Sequence, residues 1–156
     1  MGMEIERKFL VINDHWRTVA DAGIDVIQGY FTTNSQCSIR VRLSGDKANL
    51  NIKSATLGVT RTEFDYPIPA GDAREMLDHL CTKPLIEKKR YHVRHGRCLW
   101  EIDVFSGANA GLVVAEIELA HIDEPFTKPD WAGAEVSDDP RYYNVCLVQH
   151  PYSKWE

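Results

Sequence analysis

No apolar run in this chain approaches the ~20 residues that a membrane-spanning helix needs. The N-terminus, Met1-Gly2-Met3-Glu4, lacks the charged-then-apolar pattern of a secretion signal. Gly2 does not open a myristoylation signal either, because Glu6 and Arg7 stand where a Ser or Thr is wanted. A cytoplasmic protein with no membrane partner is expected. Paired cysteines are missing too: Cys37, Cys81, Cys98 and Cys146 show no CxxC spacing, which excludes zinc ribbons and thioredoxin-type redox sites. Each lies among apolar neighbours and reads as a small buried hydrophobe. The six histidines fall in no metal-ligand spacing and read as surface or loop residues; only His92 shares the parity of Lys88 and Arg90. An excess of positive charge is absent as well. The net charge is −5, so no nucleic-acid partner is expected, since non-specific binding to nucleic acid draws on a basic surface. No internal repeat or low-complexity tract stands out.

What remains is one globular domain over residues 1–156, 44% hydrophobic and 26% charged, long enough for a single well-filled core. The chain reads as short alternating runs separated by turn residues: Met3–Ile12, Asp25–Thr33, Gln36–Ser44, Lys47–Ser54 and Thr60–Ile68. Ser44-Gly45-Asp46 is a hairpin-type divider, and Leu57-Gly58 marks a further break. Asp72–Cys81 then places Met76, Leu77 and Leu80 at helical spacing, with Gly71 or Asp72 as cap and Pro84 beyond the end. Three more strand-like runs follow: Leu85–Arg94, Arg97–Phe105 and Leu112–Ala120. The tail is looser, with a short helix expected over Pro140–Gln149. About eight antiparallel strands with two or three helices point to an α+β, mainly β, domain or a closed barrel.

Successive side chains of a strand point to opposite faces, and each run divides into an apolar and a charged face. Ile5, Phe9 and Val11 oppose Glu4, Glu6 and Lys8. Val41 and Leu43 oppose Arg40 and Arg42, and Leu50 and Ile52 oppose Asn49, Asn51 and Lys53. Trp100, Ile102 and Val104 oppose Glu101 and Asp103; Ala115 and Ile117 oppose Glu116 and Glu118. An ordinary half-buried sheet with a solvated face also alternates. A solvated face, however, mixes Thr, Ser, Gln and Lys. Here carboxylates recur in i, i+2 pairs (Glu4/Glu6, Glu101/Asp103, Glu116/Glu118), and so do the basic Arg40/Arg42 and Lys88/Arg90. Like charges so placed repel unless opposite charge shares the site. A sheet closed with its charged faces inward, around a polyanion and a divalent metal, resolves both conflicts. Guanidinium and ammonium groups grip phosphate, and carboxylates hold Mg²⁺ or Mn²⁺.

The run Glu4-Ile5-Glu6-Arg7-Lys8 reads as an ExExK signature. It is followed in order by Gln28-Gly29-Tyr30, Arg40-Val41-Arg42, Lys53, Arg61 with Glu63, Lys88 with Arg90, Glu101 with Asp103, and Glu116-Ile117-Glu118. With the tail Trp131–Asn144, this set resembles the CYTH-domain, triphosphate tunnel metalloenzyme family over essentially the whole chain. The resemblance implies an eight-stranded antiparallel closed barrel, the tunnel, with a few peripheral helices. It implies Mg²⁺- or Mn²⁺-dependent hydrolysis of a triphosphate, foremost inorganic tripolyphosphate to pyrophosphate and phosphate. Glu4, Glu6, Glu116 and Glu118 resemble the metal carboxylates, and Glu63, Glu101 and Asp103 are further metal or water-orienting acids. Arg40, Arg42, Lys53, Lys88 and Arg90 resemble phosphate binders, and Lys8 contacts phosphate or the attacking water. Arg61 either binds phosphate or pairs with Glu63; Tyr30 is either a lumen hydroxyl or an ordinary core tyrosine. The pattern is broken at Val145, where related short members often carry lysine. Lys89 is expected on the solvated face.

Three rival readings stay open at this level. Adenylate cyclase, or a thiamine or nucleoside triphosphatase, needs a mouth that recognises the organic group; Trp16, Trp131 and Trp155 can stack an aromatic ring or serve as core anchors. A non-catalytic polyphosphate-binding module needs the basic wall but can lose several of the acids. A lipocalin-like carrier needs an apolar lumen.

Overall fold

The computed structural model describes residues 2–31, 36–54 and 60–155, the side chains of residues 2–4, 60 and 61 excepted. The frame is one sheet of nine strands. These are β1 (Gly2–Val11), β2 (Ile24–Tyr30), β3 (Cys37–Ser44), β4 (Lys47–Ser54), β5 (Thr60–Ile68), β6 (Ile86–His95), β7 (Cys98–Ser106), β8 (Val113–Glu118) and β9 (Ala132–Glu135). Helix α1 (Ala70–His79) follows β5, and α2 (Asn144–Gln149) follows β9. The mainly β class with few helices holds, while the expected count of eight strands is corrected to nine. The break expected at Leu57-Gly58 lies outside the described residues.

All pairings are antiparallel, in the order β5-β4-β3-β2-β6-β7-β8-β1-β9, and β5 also pairs with β1. Gly2–Ile5 of β1 face Glu63–Thr60 of β5, and Glu6–Leu10 face Glu118–Val114 of β8. Because Leu119 N also donates to Ile5 O, β8 runs along one edge of β1 and β5 lies on the other. Beyond Ile5 that second edge passes to β9, with Phe9 opposite Glu135 and Val11 opposite Ala132. The β9 sequence Ala-Gly-Ala-Glu has little strand propensity of its own. It is drawn into the sheet because backbone N–H and C=O groups left unpaired at this edge would be costly. A hairpin turn falls at the expected divider Gly45 and another at Gly96, with φ of 62° and 61°, the left-handed conformation that two-residue connections favour.

The outward faces carry the core. Phe9, Trp100, Ile102, Ala115 and Ile117 pack with Trp16, Trp131 and Leu119, so Trp16 and Trp131 are core anchors and not stacking platforms for a ligand. On the far side Val41, Leu43 and Ala48 meet Ala73 and Leu77 of α1. This helix starts two residues before the expected Asp72, with Pro69 as N-cap and no side-chain cap bond. Leu80, read as part of its apolar stripe, is the C-cap residue and is 65% exposed. The third cluster lies on the charged face itself. Two residues beyond Lys8, Lys88 and Glu116 stand Leu10, Ile86 and Val114, which pack with Tyr30, Phe105, Leu147 and Val148. The charged face therefore ends in an apolar floor seated on α2.

The expected tail helix is split. A 3-10 turn covers Pro140–Tyr142 and α2 begins at Asn144, the two parted by the extended Tyr143. All four cysteines are free thiols, but only Cys81 is buried, so the buried reading fails for the other three. Among the described residues no helix is long and apolar enough to cross a membrane.

Candidate active site

Strand register turns the alternation into two facing walls. On β1, β8 and β7, Glu6 stands opposite Glu118, and Glu116 opposite Glu101. Like charges directly across from one another destabilise a sheet unless a cation lies between them. The basic wall is built by Arg40 and Arg42 of β3, Lys53 of β4 and Arg90 of β6. Between the walls lies a cavity of about 220 Å³ lined by Glu6, Lys8, Tyr30, Ser38, Arg40, Arg42, Asn51, Lys53, Glu63, Arg90, Glu101, Glu116, Glu118, Tyr143, Asn144 and Val145.

Ten of the sequence-derived residues thus meet in one place: Glu6, Lys8, Arg40, Arg42, Lys53, Glu63, Arg90, Glu101, Glu116 and Glu118. Glu116 is buried, and Glu118 sits exposed at the rim. Burial pushes the Glu116 carboxyl up, and the neighbouring Glu6 charge pushes the same way, against the pull of Lys8 and Arg90. Lys8 Nζ lies 3.7 Å from Glu116. On the other wall, burial lowers Arg42 to about 10, and repulsion from Arg40 and Arg90 adds to it. Arg42 Nε donates to the wholly buried Gln28 Oε1 at 3.1 Å. Among the described residues the buried Nε of Arg40 has no hydrogen-bond partner, and a guanidinium N–H so placed calls for an acceptor. Asn51 Nδ2 donates to Glu63 Oε1 at 2.6 Å and holds that acid against the cavity.

Two of the expected residues stand elsewhere. Lys88 and Asp103 do not line the cavity: they are sealed behind it, both side chains fully buried, with Nζ 2.7 Å from Oδ2. Arg90 Nε donates to Asp103 Oδ1 at 2.7 Å and Arg90 Nη2 to Oδ2 at 2.9 Å. Burial works to raise Asp103, but Lys88 and Arg90 outweigh it and hold the carboxyl well below its usual range. Both carboxylate oxygens are therefore taken by cations. In this structure Asp103, expected as a metal or water-orienting acid, stands as the counter-ion of Arg90 and Lys88, and Lys88, expected as a phosphate binder, is its buried partner. Glu101 is also engaged, accepting from Arg90 Nη1 at 3.1 Å with His92 Nε2 at 3.5 Å. The side chains of Glu4 and Arg61 lie outside the described residues. Lys89 is exposed, as parity requires.

Parity places Ser38 and Asn51 on the charged face without giving either a role, and the resemblance reaches Asn144 only as the end of the tail. Tyr143 carries no signal, since the tail has no period. Val145 lines the cavity and packs on the apolar floor. Tyr30 is both a lining residue and 6% exposed core.

Comparison with known proteins agrees with this arrangement. A model of the CYTH domain matches residues 2–143. An inorganic triphosphatase of Acetivibrio thermocellus is 46% identical over 156 residues, all of this chain and 99% of that one. One from Nitrosomonas europaea is 35% identical over 153 residues, 93% of this chain and 96% of the other. The crystal structure of an inorganic triphosphatase matches with a TM-score of 0.66 at 33% identity, covering 95% of each chain. The charged cavity and the whole-length likeness agree, and the chain belongs to the CYTH domain family.

Proposed function

We propose that this protein hydrolyses inorganic triphosphate to pyrophosphate and phosphate in a cavity that also takes Mg²⁺ or Mn²⁺. The observation that carries the reading is the meeting of an acidic and a basic wall around one cavity of about 220 Å³. A magnesium or manganese triphosphate presents a cation to the acidic wall and phosphate oxygens to the basic one. The names of the relatives at 46% and 35% identity support the same activity. We read the sheet as an eight-strand tunnel, since β5 at the end of the strand order pairs with β1, leaving β9 as an external addition. The four free thiols suit a reducing cytoplasm.

The donor chemistry suits a hard divalent cation, since carboxylate oxygens are what Mg²⁺ and Mn²⁺ take. Glu6 and Glu116 stand close enough for Glu6 to raise its neighbour, and Glu118 lies across from Glu6, but among the described residues no three acids stand together as a metal cluster. Glu4, by its place in the motif, would join them. A bound cation supplies charge neutralisation on phosphate oxygens and lowers the pKa of water.

The chain's own groups do the rest. Arg40, Arg42, Lys53 and Arg90 bind the phosphates and stabilise charge on the departing pyrophosphate, the main demand of a loose phosphoryl-transfer transition state. Lys8 contacts the phosphate under attack, and Glu63, held by Asn51, orients the water. Water oxygen bonds to the terminal phosphorus as the bridging P–O bond breaks. Hydrogen bonds to charged groups contribute about 1.5–3 kcal/mol. Arg42→Ala should therefore raise KM for tripolyphosphate roughly 10- to 150-fold, measured by phosphate release.

The test is a substrate panel of tripolyphosphate, ATP and thiamine triphosphate in Mg²⁺ and in Mn²⁺, with cyclic AMP measured alongside. Tripolyphosphate as the preferred substrate is expected. Preference for an organic triphosphate, or cyclic AMP formation, would replace the substrate; tight binding without turnover would leave only a polyphosphate-binding module.

A further inference from the structure

Arg7 lies between two cavity residues yet points to the opposite face of β1, and the function above gives it no task. Its guanidinium grips Glu135 of β9 through two bonds, Nε to Oε2 at 2.9 Å and Nη2 to Oε1 at 2.5 Å. It also lies 4.9 Å over the Phe126 ring. Two-pronged pairing of this kind fixes geometry as well as distance. Glu135 Oε2 accepts a third bond, from Ser137 Oγ at 2.7 Å, and that hydroxyl accepts from Lys8 N at 2.9 Å. Next to it, Val136 N donates to Lys8 O at 2.8 Å. The chain then folds back: Tyr143 OH donates to Ser137 O at 3.0 Å, and Lys8 Nζ donates to Tyr142 O at 3.0 Å. One stretch of tail thus holds Lys8 by its backbone N–H, its backbone C=O and its ammonium.

We infer that Arg7 and Glu135 are positioning residues for Lys8, their ion pair seating the tail segment 136–143 on β1 so that the Lys8 ammonium is held at its place in the cavity. The inference rests on the catalytic reading of Lys8 given above. The pair is only part-exposed, about 30% at each side chain, and its bond count exceeds what an isolated surface ion pair makes. Among the described residues the partners of the Arg7 guanidinium are Glu135, Phe9 and Phe126, none of which lines the cavity, so an effect on turnover passes through the seat.

A double-mutant cycle on tripolyphosphate hydrolysis separates this from a purely structural role. Arg7→Gln should lower kcat roughly 10- to 100-fold, as a misplacement near 1 Å does, with KM within about twofold. In a Lys8→Gln background the same change should cost nothing further. Exchanging the partners, Arg7→Glu with Glu135→Arg, should recover most of kcat. Losses that add in both backgrounds, or a swapped pair as impaired as the sum of the single changes, would overturn the inference. Should Arg7→Gln fail to fold, Arg7→Lys decides: it keeps the charge and loses the fork, so reduced kcat supports the inference and wild-type kcat overturns it. Normal turnover in Arg7→Gln beside an inactive Lys8→Gln overturns this inference alone. A Lys8→Gln variant at the wild-type rate overturns the catalytic reading of Lys8 and this inference with it.

Discussion

Glu116→Gln should abolish metal-dependent triphosphate hydrolysis while raising the melting temperature of the metal-free protein. The two effects have one cause. Glu116 is buried, and Glu6 stands beside it; burial and that charge together raise its pKa in the folded protein. A raised carboxyl contributes stability that is fully present below its unfolded pKa and is lost as pH rises through the folded value. Between acid and neutral pH the metal-free wild type should therefore fall progressively behind Glu116→Gln, at ~2–4 °C per kcal/mol for a chain of this size. Excess Mg²⁺ or Mn²⁺ should restore the wild type and leave the variant unmoved, because ligand binding stabilises only a protein that can bind. For turnover, even an outer-shell partner of a metal ligand is worth ~10–100-fold, so loss of a direct carboxylate should exceed ~10²-fold. Thermal melts across pH with and without metal, beside phosphate release, check both halves. An unstabilised variant or one that still turns over would contradict the assignment.

The second large effect is expected at Asp103, and there it is loss of stability. Asp103→Asn leaves Lys88 fully buried without its counter-charge and takes away one of the two carboxylate oxygens that accept from Arg90. Removing one partner of a buried ion pair costs about 3–5 kcal/mol, a fall in melting temperature of roughly 6–20 °C here. Adding Lys88→Met to Asp103→Asn should recover part of that fall, since no unpaired ammonium remains buried. The wild-type pair is also robust to acid. Asp103 is held below its unfolded pKa, so its contribution persists above that value and is lost only as pH falls through the depressed folded value. A melting temperature unchanged in Asp103→Asn would show that the pair is not the buried counter-ion described.

These two residues also show where sequence reading stops. Period-two alternation assigned Glu116 and Asp103 alike to the charged face, and both are on it. Parity tells which face a residue takes but not how deep it sits, and depth separates a cavity acid from a sealed counter-ion. Depth depends on register, which sets Arg90 against Asp103 and could not be read from either strand alone. The same gap hid the apolar floor: Leu10, Ile86 and Val114 share the parity of Lys8, Lys88 and Glu116, and nothing local announces that the charge ends there. The start of β4 at Lys47 was legible to the residue because hairpin glycine and alternation agree there, and alternation alone marked the end of β5 at Ile68. β9 was not, because Ala-Gly-Ala-Glu becomes a strand only where β1 offers it an edge. Likewise Tyr143 and Asn144 reach the cavity from a tail without period, carried there by contacts more than a hundred residues apart in the chain, Arg7 to Glu135 among them.

The central claim is that the facing acidic and basic walls form a metal-dependent triphosphatase. Its most direct test is phosphate release from tripolyphosphate by the full chain, with Mg²⁺ or Mn²⁺ present and after chelation. One phosphate and one pyrophosphate per tripolyphosphate are expected, with turnover abolished by chelation and restored by returning the metal. Hydrolysis that proceeds undiminished in chelator, or no hydrolysis with either metal, would contradict it.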